Sequence, residues 1–191
     1  MGISVESDAV SSAGRAAHDI GLAAMLGGNL FGRVAMHPAL ARVSDERERG
    51  EVLNNAWRRY GTVNSLGLAA VLAGWAGARL GEAQPQYLSD RERKLATAKD
   101  LAVGAVALTG VASAIQGVRF ARSCPDGAVP MEDGTSTNED TPAGAVRQKK
   151  MLNALSAASV VSELALATIN ASLSQANFRR PPKRRVLKRS W

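Results

Sequence analysis

Cysteine occurs once, at Cys124, and histidine twice, at His18 and His37. A lone thiol makes no internal disulfide, and there is no CxxC or paired Cys/His spacing of a zinc site. The two histidines lie 19 positions apart, about 28 Å along one continuous helix, too far to share a metal within one chain. Aromatics are scarce as well, with three Phe, three Trp and two Tyr. Runs of β-branched residues are few, which argues against sandwiches and barrels and leaves an all-α fold. No GxSxG, HExxH or Walker loop with its Lys occurs, and Gly27-Gly28 has no Lys after it. The expected site therefore includes no catalytic residue, no metal ligand and no cofactor.

What is present is segregated. A mean hydropathy of -0.10 hides Ala/Gly-rich apolar stretches diluted by charged loops. The net charge is +7 and the pI near 10.2, but seven basic residues sit in the last thirteen positions: Arg179, Arg180, Lys183, Arg184, Arg185, Lys188 and Arg189. The other 17 basic residues balance 17 acidic ones, so the excess charge is a tail and not a face.

Four stretches have the length of a membrane span, about 30 Å at 1.5 Å per residue. They cover 20–40, 61–80, 101–118 and 151–173. The first carries Arg33 and the last Glu163 as their only charges besides the histidine at 37. Soluble amphipathic helices would show polar residues every third or fourth position. These stretches do not, and a four-helix transmembrane bundle is expected. Residues 1–19 read as a mobile head and 41–60 as a charged turn with Trp57 and Tyr60 at the interface. Gly77 and Gly81 form a GxxxG pair suited to close helix contact. Ser89 with Glu92 matches a capping box. The segment 123–145, rich in Pro, Gly, Asp and Thr, is expected to be a flexible loop.

An even number of spans puts both ends on one side. That side then carries 13 basic residues against 10 on the other, which predicts cytoplasmic termini in a multi-pass protein of the cell membrane. The runs LNNAWRRYGTVNSLGLAAVLAGWAGARL, AKDLAVGAVALTGVASAIQGVRFAR with PDGAVPMEDG, and NFRRPPKRR resemble a group of uncharacterised actinobacterial four-span integral membrane proteins. The likeness implies a topology and no activity, and it carries no functional residues over.

Asn29, Arg33 and His37 recur every fourth residue on one helix face, and Ser156, Ser159, Glu163 and Asn170 share a face of the last helix. Together they predict an intramembrane polar seam of Asn29, Arg33, His37, Glu163 and Asn170. Depth arithmetic leaves Arg33 and Glu163 offset by about 8 Å on antiparallel helices, so an Arg33–Glu163 ion pair is expected, with Asn29 nearly level with Glu163. The pair would fix helix register, or line a path. The tail is expected to act first as a topogenic anchor, second on anionic lipid headgroups, and only third on nucleic acid or an acidic protein. The bilayer is thus the expected partner, with self-association through Gly/Ala faces. A scaffolding or accessory role is the leading expectation. A small transporter or membrane enzyme built on the seam, and a soluble helical bundle with a nucleic-acid-binding tail, are the alternatives.

Overall fold

The computed structural model describes the backbone of residues 3–178 and the side chains of residues 10–176. The basic tail, with Arg179, Arg180, Lys183, Arg184, Arg185, Lys188 and Arg189, lies outside the described residues. Four long helices make up the bundle: α1 (Ile3–Phe31), α2 (Glu46–Leu80), α3 (Asp90–Ala121) and α4 (Ala143–Phe178). There is no strand among the described residues; one isolated bridge joins Met131 and Thr137. The architecture is all-α, as the composition requires.

The helix ends follow local chemistry. Asp45 caps α2, its carboxylate accepting from the Arg47 and Glu48 amides. Ser89 and Glu92 form the expected capping box at α3, each partner satisfying a backbone amide that the first turn leaves free. Past Phe31, α1 continues through a π-helical turn, Gly32–Met36, into His37–Ala39 and a last 3-10 turn. Pro38 accounts for the widening, because it offers no N–H and its ring crowds the carbonyl four residues back. The preceding amide, that of His37, bonds instead to Gly32 five residues back.

Helices α1 and α2 pack along their length, as do α3 and α4, while the contacts α1–α4 and α2–α3 are lighter. The first pair meets on small residues. A Cβ at Gly21 would stand 2.6 Å from the Gly67 carbonyl, one at Gly67 2.9 Å from the Gly21 carbonyl, and one at Gly74 2.5 Å from the Gly14 carbonyl. Tyr60 closes the series by packing on Gly28 and donating to the Ala24 carbonyl. These positions recur at sevens on both strands of the hairpin, so the close approach follows a heptad. The GxxxG pair does not serve it: nothing lies within 4 Å of a Cβ on Gly77.

Three helices, α2, α3 and α4, are long and apolar enough to cross a membrane, and only 17% of each apolar window is buried in the bundle. Leu66, Leu72, Leu101, Leu108, Ile115 and Val161 face outward. At 1.5 Å per residue a 35-residue helix such as α2 measures about 50 Å, well beyond a hydrocarbon core. The helices therefore project past the apolar zone. The charged stretch from 46 to 60, expected as a turn, is the projecting start of α2. The head is likewise helical from Ile3, and Ser11 and Arg15 reach Glu82 at the far end of α2.

The largest departure from expectation is the segment 123–145, which is packed. Val129 and Met131 are fully buried with Leu40, Leu53 and Phe120, and form a second apolar cluster at one end of the bundle. Gly50 gives Val129 its seat, since a Cβ there would run into the Val129 carbonyl. Arg49 holds the segment with Nε on the Val43 carbonyl and Nη1 on the carbonyls of Met131 and Glu132. Asn54 donates to Gly127 and Thr141 to Pro130. The composition suggested a chain too polar to order, but two apolar residues in a funnel of helix ends suffice once the backbone carbonyls find side-chain donors. Residues 125–141 are a folded cap.

Candidate functional site

Polar side chains gather where α1 meets α4, at three levels. In the middle, Asn29 Nδ2 donates to Glu163 Oε1 at 2.7 Å. Glu163 is 1% exposed, and its second oxygen has no hydrogen-bond partner among the described residues. Ser159, one turn away on α4, is buried too. The predicted Arg33–Glu163 ion pair does not form. Arg33 Nη1 reaches the Ser156 hydroxyl at 3.2 Å and the Asn153 carbonyl at 3.4 Å. Asn29 is the residue level with Glu163; Arg33 lies one turn nearer the cap, and its long side chain extends away from the bundle centre.

The π turn also splits the predicted stripe. Asn29 and Arg33 face α4, whereas His37 turns toward α2 and the cap. Trp57 Nε1 donates to His37 Nε2 at 3.1 Å, and the rings meet edge to face with centroids 5.7 Å apart. An indole nitrogen only donates, so His37 Nε2 is the acceptor and the ring proton belongs on Nδ1. Nδ1 lies 3.3 Å from Thr135 Oγ1 in the cap, and the His37 carbonyl accepts the Gly134 amide. Lys149, 5% exposed, donates to the Gly134 carbonyl and lies 5.5 Å from the Phe120 ring centre. Trp57 and Tyr60, expected as interface anchors, thus pack inside the α1–α2 contact.

The third level, at the opposite end, joins all four helices. Asn170 donates to Asp19 Oδ1 at 2.9 Å and accepts from Lys99. His18 Nδ1 lies 2.8 Å from the same Asp19 oxygen. The Lys99 ammonium is 4.4 Å from the Trp75 ring centre. Trp75 donates to Asp100, which is also bridged by Arg79 at 3.0 Å. Burial, with Lys99 nearby, pushes the His18 ring below its usual pKa, against the pull of Asp19. Of this node only Asn170 belongs to the seam that the sequence predicts. The signal lay in shared depth: Asp19 precedes the first apolar stretch, Arg79 ends the second, Lys99 and Asp100 precede the third, and Asn170 nears the end of the fourth.

Burial makes these groups unequal. An ionised carboxylate without a cation costs on the order of several kcal/mol, while one hydrogen bond to a charged group returns about 1.5–3 kcal/mol. Glu163 has that one bond and no salt bridge among the described residues. Two surface depressions, one lined by Arg91, Ser172 and Gln175 and one by Gln116, Arg119 and Arg147, include none of the seam residues. His18 and His37 stand at opposite ends of the bundle, and among the described residues no three His, Cys, Asp or Glu side chains gather as a metal site would require. Set against family models, curated proteins and solved structures, the chain matches none.

Proposed function

We propose that this chain is a multi-pass membrane protein with a structural or accessory role, its termini on the cytoplasmic side and its folded cap on the other. The supporting observation is how its polar groups are spent. The seam and the node tie helices to one another, the cap's carbonyls are taken up by Arg49, Asn54 and Thr141, and the outward surfaces of α2, α3 and α4 are apolar. In lipid, where apolar burial between helices gains little, close glycine contacts and interhelical hydrogen bonds are what hold a bundle. Kinship with the actinobacterial four-span proteins, lipid-headgroup contact by the tail, and self-association through open small-residue positions such as Gly77 and Gly104 belong to the same proposal.

Carbonate-resistant fractionation tests the membrane reading, and recovery in the soluble fraction overturns it in favour of a soluble bundle. Orientation is best read with single cysteines, because an insertion at Thr135 would disrupt its contacts with His37 and Asn153. In a Cys124→Ser background, Asp140→Cys is expected to react with an impermeant maleimide on intact cells and Gln86→Cys only after lysis. The opposite pattern reverses the topology. A transporter or membrane enzyme built on the seam is the competing role. It predicts that Glu163→Gln abolishes an activity with the fold intact, whereas a scaffold loses at most stability.

A further inference from the structure

We infer that Glu163 is a proton-binding site inside the membrane, a neutral carboxylic acid held between α1 and α4, and not the anionic half of an ion pair. The inference rests on the membrane reading above and goes beyond the structural role.

The first observation is isolation. The Glu163 side chain is buried to 1% exposure, with Oε1 taken by Asn29 and Oε2 without a partner among the described residues. The second is that, among the described residues, no cation comes to it. On α1, nothing titratable lies between Asp19 and Arg33, and Arg33 is engaged with Ser156 and Asn153. On α2, the titratable residues bounding this level are Tyr60, whose hydroxyl donates to Ala24, and Arg79, bound to Asp100 at the far end. On α3, nothing titratable stands between Asp100 and Arg119; on α4, Glu163 is the only such residue between Lys150 and Arg179. A carboxylate in this setting would keep its charge with a single neutral amide for compensation, and the group removes the difficulty by taking up a proton.

The third observation concerns the way in. Toward the cap, α4 presents Ser159, Ser156 and Asn153 in succession, ending at the Thr135 carbonyl. Toward the other end, Leu166, Met25 and Leu22 close the interface, all fully or nearly fully buried. A polar stripe therefore leads from Glu163 to the capped side, and an apolar plug separates it from the Asp19–Asn170 node. Intramembrane acids that face the bundle interior commonly serve proton movement.

The test uses the full chain in phospholipid vesicles with dicyclohexylcarbodiimide, which partitions into lipid and reacts with protonated carboxyls. The acid proton passes to one carbodiimide nitrogen and the carboxyl oxygen bonds to the central carbon. An oxygen-to-nitrogen acyl shift then leaves a stable acylurea, with no redox change. Peptide mass spectrometry at pH 7 is expected to place the adduct on Glu163, at least tenfold above Asp19 or Asp100, and Glu163→Gln is expected to abolish it. A membrane-embedded chain with Glu163 unlabelled, or labelled no more than Asp19 and Asp100, overturns the inference and leaves the membrane reading standing. A chain that stays out of the vesicles overturns the membrane reading itself. Asn29→Leu removes the one donor while leaving Glu163 in place, and labelling is expected to persist; its loss would mean that the amide, and not isolation, controls the group, and would count against the inference.

Discussion

At the scale of single residues, Asn29 and Arg33 divide a role that their spacing assigns to both. Asn29→Ala removes the one hydrogen bond to Glu163 among the described residues, and a loss of about 2 kcal/mol is expected from the unpaired acceptor. Arg33→Ala should cost well under that, since the guanidinium is exposed and makes two long contacts. Unfolding of both variants in detergent by denaturant titration checks the order, and an equal cost would contradict the assignment. Depth arithmetic along straight helices found the level of Asn29 correctly. It also set Arg33 about a turn from Glu163, as found, but the guanidinium is spent on Ser156 and Asn153 and does not reach back. The shared face fails only at His37, where the proline at 38 turns a regular α-helix into a π turn that every-fourth-residue spacing does not carry. Arg49 is a parallel case. As one of many charges in a basic and acidic run it has no distinguishing sequence signal, yet its guanidinium gathers the carbonyls of Val43, Met131 and Glu132. Arg49→Lys keeps the charge but not the planar fork, and faster proteolytic cutting between 128 and 141 is expected, with the membrane helices unaffected.

At the scale of elements, the α1–α2 hairpin offers a contrast between glycines that look alike in sequence. Gly21→Ala would drive a Cβ to 2.6 Å from a backbone carbonyl, and overpacking of this kind costs about 1–3 kcal/mol. Gly77→Ala meets nothing within 4 Å and should gain a few tenths up to about 1 kcal/mol from helix propensity. Thermal unfolding of the two variants in the same detergent is expected to shift in opposite directions; a common direction would mean that the hairpin does not meet on the heptad. The GxxxG motif was visible and the heptad was not, because the heptad only has meaning once α1 and α2 are known to be partners. Helix starts were legible, as the Ser89–Glu92 box shows. At the start of α2, the Glu48 and Arg47 amides hold the Asp45 carboxyl below the usual carboxylate range. A depressed folded-state pKa means that the cap stabilises fully above the ordinary carboxylate range and is lost as pH falls through the folded value. Asp45→Asn, which keeps an acceptor without a charge, is expected to flatten this acid-side decline, measured as unfolding temperature against pH.

At the scale of the whole molecule, the bundle is two tight hairpins joined by a shared apolar core, in which Leu22, Met25, Val71, Val103, Val106 and Leu166 are buried together, and by polar contacts between α1 and α4 and at the four-helix node. This explains how far the sequence could go. The number of helices, their order and their outward apolar character follow from segment length and hydropathy alone. The cap does not, because its folding depends on helix ends that are brought together only in the assembled bundle. The joint between hairpins predicts a specific cross-linking pattern. Cys124 is the sole native cysteine, so Cys124→Ser gives a clean background for paired substitutions. With Arg33 bonded to Ser156 and Asn29 to Glu163, the pairs Arg33→Cys with Ser156→Cys and Asn29→Cys with Glu163→Cys are expected to bridge under mild oxidation. Arg33→Cys with Glu163→Cys is expected to bridge poorly: the two are a turn apart in depth, and a disulfide tolerates Cα separations only up to about 7 Å. If the third pair formed readily and the first did not, α1 would be displaced along α4 by a turn. Asn29 would then lose Glu163, the Asn170–Asp19 bond at the far end would break with it, and the two hairpins would need a different joint.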